Sequence, residues 1–182
     1  MISPLLASVY LHYVFDLWVQ AWREKSARGG VILVHYADDF VLGFEHRTEA
    51  ERFLEELRER LAKFGLELHP AKTRLIELGR WAIAKRRGRG EGKPETFDFL
   101  GFTHICEING KSGRYVVRRR TVRKRMRAKL AEMKSQLRAR IDAPPGETGQ
   151  WLRTVVRGYF PYHGVPGNQR MLAGFRWALA RH

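Results

Sequence analysis

An α+β fold is predicted for this chain of 182 residues from three features of its sequence. Two apolar runs, residues 31–35 and 40–44, are too short for helices and flank a brief polar break, as paired strands do. Longer stretches at 3–24, 48–64 and 121–141 instead repeat apolar residues every three or four positions, the spacing of a helix with one packed face. Glycine and proline clusters separate these segments, leaving the first 118 or so residues mixed and the remainder helical.

Taken in order, Ser3-Pro4 reads as an N-cap followed by proline in the first turn. Leu5, Leu6, Val9, Tyr10, Tyr13 and Leu17 carry the helix to about residue 24. Gly29-Gly30 breaks the chain before the two strands, which meet in a tight turn at Tyr36 to Asp39. Thr48 with Glu51 matches a capping box, and Ala50, Phe53, Leu54, Leu57, Leu61 and Phe64 form the stripe of a helix that Gly65 ends. Residues 66–68 and 73–78 read as short extended segments, and 79–94 as a mobile basic loop. A strand at 97–108, an Asn109-Gly110 hairpin turn and a strand at 115–117 follow. From Thr121, Val122, Met126, Leu130, Met133, Leu137 and Ile141 share one helix face. Residues 142–149 read as a linker, and 151–160 and 168–180 as two short helices.

Composition narrows the function. Lys and Arg number 34 against 19 Asp and Glu, a formal charge of +15, which favours polyanionic partners, nucleic acid first and an anionic membrane surface second. No apolar run is long enough to span a membrane, there is no lipidation or secretory signal, and a single cysteine, Cys106, excludes an internal disulfide. The expectation is a soluble cytoplasmic protein. Around the basic helix that begins at Thr121 few acids balance Arg123, Lys124, Arg125, Arg127, Lys129, Lys134, Arg138 and Arg140. Like charges at helical spacing destabilise a free helix, so a polyanion explains them better than a solvated face does.

Asp38-Asp39 is the most informative pair. Two adjacent carboxylates between apolar strands repel each other and are costly near a core unless neutralised. A polar turn is the plain explanation; a divalent cation held at the tip of a hairpin is the other. His35 lies beside the pair and could tune it or simply pack; His104 and Cys106 alternate along a strand without further ligands.

Tyr36-Ala37-Asp38-Asp39 closely resembles the Tyr-Ala-Asp-Asp box of reverse transcriptases, and the resemblance extends along the chain. Residues 2–7 resemble the end of the family's nucleotide-site helix. Gly65 to Thr73 is similar to the next palm motif, and Phe97 to Phe102 to the primer-grip hairpin. Trp151 to Phe160, with Tyr162 and Asn168, looks like the start of a maturase segment, so the chain most resembles group II intron reverse transcriptases that double as maturases.

The resemblance implies the C-terminal part of a right-hand polymerase palm at 1–118, an all-helical thumb and linker at 119–147, and a partial maturase segment at 148–182. It implies RNA-directed DNA synthesis, a nucleotidyl transfer with two Mg²⁺ ions (Mn²⁺ as a substitute), held by Asp38 and Asp39. Lys72 would assist pyrophosphate departure, and Tyr36 would contact nucleotide. Gly101, Arg118, Arg119, Arg120, Arg123, Lys124 and Arg127 would contact nucleic acid. The implied partners are an RNA template with its DNA primer, a deoxynucleoside triphosphate and a structured intron RNA bound for splicing and mobility; no membrane is involved. The family's first catalytic aspartate, its fingers and its Pro-Gln-Gly segment do not precede Met1, and no zinc-bearing endonuclease segment follows His182. The chain is therefore expected to be truncated at both ends, inactive or nearly so alone, and complemented by an N-terminal fragment or a second copy. The alternatives are a non-catalytic RNA-binding maturase fragment and a remnant of a disrupted mobile element. The metal reading requires the two aspartates to face the basic helix and Lys72 rather than bulk solvent.

Overall fold

The computed structural model describes residues 3–110 and 112–181 and, at Ser3 and Pro4, the backbone alone. Met1, Ile2, Lys111 and His182 lie outside the described residues, and with them Ile2 of the nucleotide-site resemblance. Helices and two small antiparallel sheets make an α+β architecture, divided into two compact units, residues 1–76 and 77–182. The boundaries expected at 118 and 147 both fall inside the second unit. Among the described residues no helix is long and apolar enough to cross a membrane.

The first unit opens with helix α1 (Ser3–Leu11), a π-helical turn (His12–Asp16) and α2 (Leu17–Lys25), following one another without a break. Ser3 is already the first helical residue rather than a cap, and its side chain is outside the described set. The periodic residues Leu5, Leu6, Val9, Tyr13 and Leu17 lie on the exposed side. Val14, Phe15, Val19 and Trp22 instead enter the core, with Val31, Phe53, Leu57 and Leu61. The π turn inserts a residue into the helical repeat and rotates the faces that follow it, which a strict 3.6-residue pattern misses.

Strands β1 (Val31–Tyr36) and β2 (Asp39–Phe44) form an antiparallel hairpin in which Tyr36 faces Asp39, so the loop is Ala37-Asp38 alone. Helix α3 (Arg47–Ala62) packs Ala50, Phe53, Leu57 and Leu61 inward. The expected capping box does not form. The helix begins at Arg47 with His46 as an uncapped N-cap, and Glu51 is taken by Arg47 at 2.7 Å, one turn back. Gly65, at φ 66°, closes the helix. Its amide returns to Ala62 and that of Leu66 to Leu61, the two bonds of a Schellman end that needs a left-handed residue there.

Residues 66–68 and 73–78 do not form strands: Leu66 and Leu68 pack on the core, and no described strand pairs with them. Between them the amides of Lys72 and Thr73 fold back on the His69 carbonyl, at 3.1 and 2.9 Å.

In the second unit the presumed loop 79–94 contains a short helix, α4 (Ala82–Gly88), because Ala82-Ile83-Ala84-Lys85-Arg86-Arg87 is a run of good helix formers. Arg89 ties its end to Glu91 at 2.6 Å and to Glu77 at 2.5 Å. The strand character read over 97–108 resolves into a hairpin, β3 (Phe97–Phe99) and β4 (Phe102–Ile108), turning at Leu100-Gly101. Both turn residues have positive φ, 47° and 78°, as a two-residue mirror-image turn demands. Between β4 and β5 Gly113 rather than Gly110 is left-handed, and β5 runs on to Thr121 (Tyr115–Thr121). Arg118, Arg119 and Arg120 are therefore strand residues, and helix α5 begins only at Arg123 (Arg123–Arg138).

The expected linker is also shorter. Helix α6 (Pro145–His163) starts within it, since Pro145 sits in the first turn, where its fixed φ and missing N–H suit a helix start. Helix α7 (Gln169–Ala180) follows a turn at Gly167. Asn168 is fully buried and joins the elements. Its side-chain Oδ1 accepts the Thr121 amide at 2.9 Å, while its side-chain Nδ2 donates to the Thr121 hydroxyl and the His163 carbonyl at 2.7 and 2.8 Å. Phe175, wholly buried, stacks on Tyr159 at 4.0 Å.

Candidate functional site

The tip of the β1–β2 hairpin carries a backbone cost. Ala37 has φ 54°, a left-handed conformation that disfavours any residue with a Cβ by roughly 1–2 kcal/mol. Such conformations persist only where the surroundings over-determine them, and they gather at functional sites. Here the strained residue immediately precedes Asp38 and Asp39. Both aspartates are exposed, and neither is paired with a protein cation among the described residues. Tyr36 is also exposed, at 63 %.

Behind the tip, His35 is mostly covered and bonded at both ring nitrogens. Nδ1 lies 2.8 Å from Asp16 Oδ1, and Nε2 lies 2.6 Å from the Ala37 carbonyl oxygen. Its ring meets Phe15 edge-on at 5.5 Å, and Phe15 packs on Phe40 at 4.4 Å. Asp16, delivered by the π turn, holds His12 with its other oxygen at 3.5 Å and lines a cleft of about 580 Å³ between α2 and β1. Lys72 is exposed on the His69 turn and forms no ion pair with either aspartate of the tip. The tip is thus brought together with His35 and Asp16; the expected facing of the carboxylates toward Lys72 rather than solvent is not seen, since both are exposed and Lys72 forms no ion pair with them.

Two adjacent, exposed carboxylates without a cation partner fit the one or two protein carboxylates that Mg²⁺ accepts while keeping water and phosphate in its remaining positions. Among the described residues no group of three or more His, Cys, Asp or Glu side chains gathers into a metal-sized cluster.

The second unit presents the cations. Residues 77–182 contain 24 Lys and Arg against 8 Asp and Glu, while residues 1–76 contain 10 against 11. The whole surplus of positive charge belongs to the second unit. On α5, Met133 is buried and Arg123, Lys124, Arg125 and Arg127 are exposed. Arg119 is exposed on β5, whereas Arg118 and Arg120 both lean on Glu107, Arg120 at 3.9 Å. Arg118 also lies under Gly167, where a Cβ would meet its Cγ at 2.7 Å. Gly101 is buried in the β3–β4 turn, beneath Tyr162 and the Arg125 guanidinium. The Tyr162 hydroxyl donates to the Leu100 carbonyl at 2.8 Å, and the Val122 amide donates to the Gly101 carbonyl at 3.0 Å.

His104 stacks on Phe97 at 4.7 Å, and burial pushes its pKa below the ordinary histidine value. Cys106 accepts the Gly79 amide at 3.3 Å and meets the Tyr115 hydroxyl at 3.2 Å. Sequence reasoning passed over Asp16, whose role depends on a π turn with no sequence signature, and it left His35 undecided. For Tyr162 and Asn168 the available signal was a motif resemblance, which gave no hint of the contacts they make.

A family model described as reverse transcriptase (RNA-dependent DNA polymerase) matches residues 1–104. Neither a curated protein nor a solved structure matches the chain.

Proposed function

Since the chain belongs to the reverse transcriptase (RNA-dependent DNA polymerase) family, we propose that it is the metal-holding and duplex-holding part of a group II intron-type reverse transcriptase. The observation that carries this is the exposed Asp38-Asp39 pair, with no cation partner among the described residues, at a strained hairpin tip inside the matched residues. Asp38 and Asp39 hold Mg²⁺, or Mn²⁺ in its place. When bound, the cation supplies charge neutralisation for a phosphoryl group and lowers the pKa of the attacking hydroxyl.

The chain's own residues do the remaining work. Tyr36 offers an exposed aromatic face to nucleotide or primer. Lys72 stabilises negative charge developing on the departing pyrophosphate, as a fixed cation or a proton donor. Arg119, Arg123, Lys124, Arg125 and Arg127 neutralise template–primer phosphates, and the β3–β4 turn at Leu100-Gly101 supports the primer. The intron-type origin is supported by the segment from Trp151 to Phe160 with Tyr162 and Asn168.

Iron-directed cleavage tests the assignment. Fe²⁺ substituted for Mg²⁺ in the presence of ascorbate generates radicals that cut the backbone next to the ion. Cuts are expected at residues 36–40 and at the His69–Lys72 turn, and both should disappear in Asp38→Asn/Asp39→Asn. Cuts elsewhere, or cuts indifferent to these substitutions, would contradict it.

A second role, RNA binding without nucleotidyl transfer, is favoured by the concentration of charge in residues 77–182. It predicts full RNA affinity in the double aspartate variant.

A further inference from the structure

The His35 imidazole sits between two groups that can only accept hydrogen bonds. Asp16 Oδ1 belongs to a carboxylate, and the Ala37 oxygen is a peptide carbonyl, at 2.8 and 2.6 Å. A neutral imidazole has one N–H and one bare nitrogen, so it can satisfy only one of them. Satisfying both requires an N–H on each ring nitrogen, which is the imidazolium. The Asp16 carboxylate, which also faces His12, lies on the inner side of the ring, and Phe15 encloses the ring edge.

We propose that His35 is a positioning residue. As a doubly protonated ring it fixes the strained Ala37 carbonyl to the Asp16 carboxylate and so sets the direction in which the loop presents Asp38 and Asp39.

Three observations converge on this role. Ala37 occupies a conformation that alanine ordinarily avoids, and the bond from Nε2 lands on that residue's own carbonyl. Asp16 is brought into reach by the π turn, a rare interruption of a helix that is frequent at functional sites. His35 is itself part of β1, paired with Phe40, so the backbone that carries the ring belongs to the same hairpin as the tip. The clamp thus runs from the helix, through the ring, to the one loop carbonyl that precedes both acids. That Asp38 and Asp39 hold a metal rests on the function proposed above; that His35 holds the loop does not.

The test uses the whole chain, labelled with ¹⁵N. Long-range ¹H–¹⁵N correlation of the imidazole rings at neutral pH should show His35 with a proton on each nitrogen, both slow to exchange with solvent. In His35→Gln, where a single amide cannot reach both acceptors, the amide resonances of residues 37–39 should shift. The Mn²⁺ concentration that half-broadens the Asp38 and Asp39 signals should also rise about tenfold or more, as loss of an outer-shell partner does. His35→Arg, which keeps several N–H donors on a planar cation, should restore most of both effects.

A neutral His35 ring with one N–H, or a loop whose resonances ignore His35→Gln, overturns the proposal. The ring measurement is made on the native sequence, so it decides the matter even if a variant fails to fold. A doubly protonated ring in a chain whose aspartate signals never respond to Mn²⁺ supports the clamp and counts against the metal-holding function instead.

Discussion

At the scale of single residues, the two tight hairpins solve one problem in the same way. Each turns on a side-chain-bearing residue with positive φ, Ala37 in one and Leu100 in the other, where glycine would be unstrained. In each, a neighbouring side chain donates to that residue's carbonyl: His35 to Ala37, Tyr162 to Leu100. Tyr162→Phe should therefore loosen the Leu100-Gly101 turn while preserving ring packing on Phe102, and cost about 1 kcal/mol in chemical denaturation.

Asn168→Ala is a more severe change, because it leaves the buried Thr121 amide and hydroxyl without their partner; a loss of about 2–3 kcal/mol is expected in the same measurement. Glu49, buried at the start of α3, accepts the Arg28 amide at 2.7 Å and the Gly29 amide at 3.3 Å. The Arg28 amide first, then the Gly29 amide and the charges of His46 and Arg52, hold its carboxyl below the ordinary glutamate value against the opposing effect of burial. A depressed folded-state pKa contributes stability that is present above the unfolded glutamate value and is lost as pH falls through the folded one. Glu49→Gln should accordingly remove part of the acid-induced loss of stability. An unchanged pH profile would show that these bonds do not favour the charged form.

Elements differ in how openly their sequences announce them. The hairpin was legible because apolar runs of five residues around Asp38-Asp39 fit nothing else, and α3 and α5 because their stripes repeat over four turns. What escaped was decided by geometry beyond the local pattern. The π turn at His12–Asp16 turned the core face away from Leu5, Leu6 and Val9 toward Val14, Phe15 and Val19, and the same turn delivers Asp16 to His35. Thr48 and Glu51 had the spacing of a capping box, yet Arg47 claims Glu51. Prolines at 144 and 145 read as a linker because proline stops helices, although it also starts them.

The basic face of α5 was plain from composition; which of the neighbouring arginines stay available was not, since Glu107 sits on the adjacent strand opposite Val116, two positions from Arg118 and four from Arg120, a register the sequence does not display. Replacing Arg123, Lys124 and Arg127 together by glutamine should lower the slope of log affinity against log salt by roughly two to three for a duplex. Arg118→Gln should instead act mainly on stability. An unchanged slope in the triple variant would remove α5 from the nucleic-acid surface.

For the molecule as a whole, the two units differ sharply in charge. Residues 1–76 are close to neutral and carry the acidic tip; residues 77–182 carry all of the net positive charge. Photocrosslinks to RNA should therefore fall almost entirely within 77–182, and mapping by mass spectrometry would contradict this division if α3 were labelled as heavily as α5. The family match covers the first unit and the second only as far as the start of β4, so the family resemblance and the bulk of the basic surface come from largely different parts of the chain.

The account rests most heavily on the acidic tip as a divalent-cation anchor, and a Mn²⁺ titration followed by electron paramagnetic resonance tests it most directly. The account predicts saturable Mn²⁺ binding to the native chain that Mg²⁺ displaces and that Asp38→Asn/Asp39→Asn abolishes. Binding of equal strength in the double variant, or no saturable binding in the native chain, would contradict it.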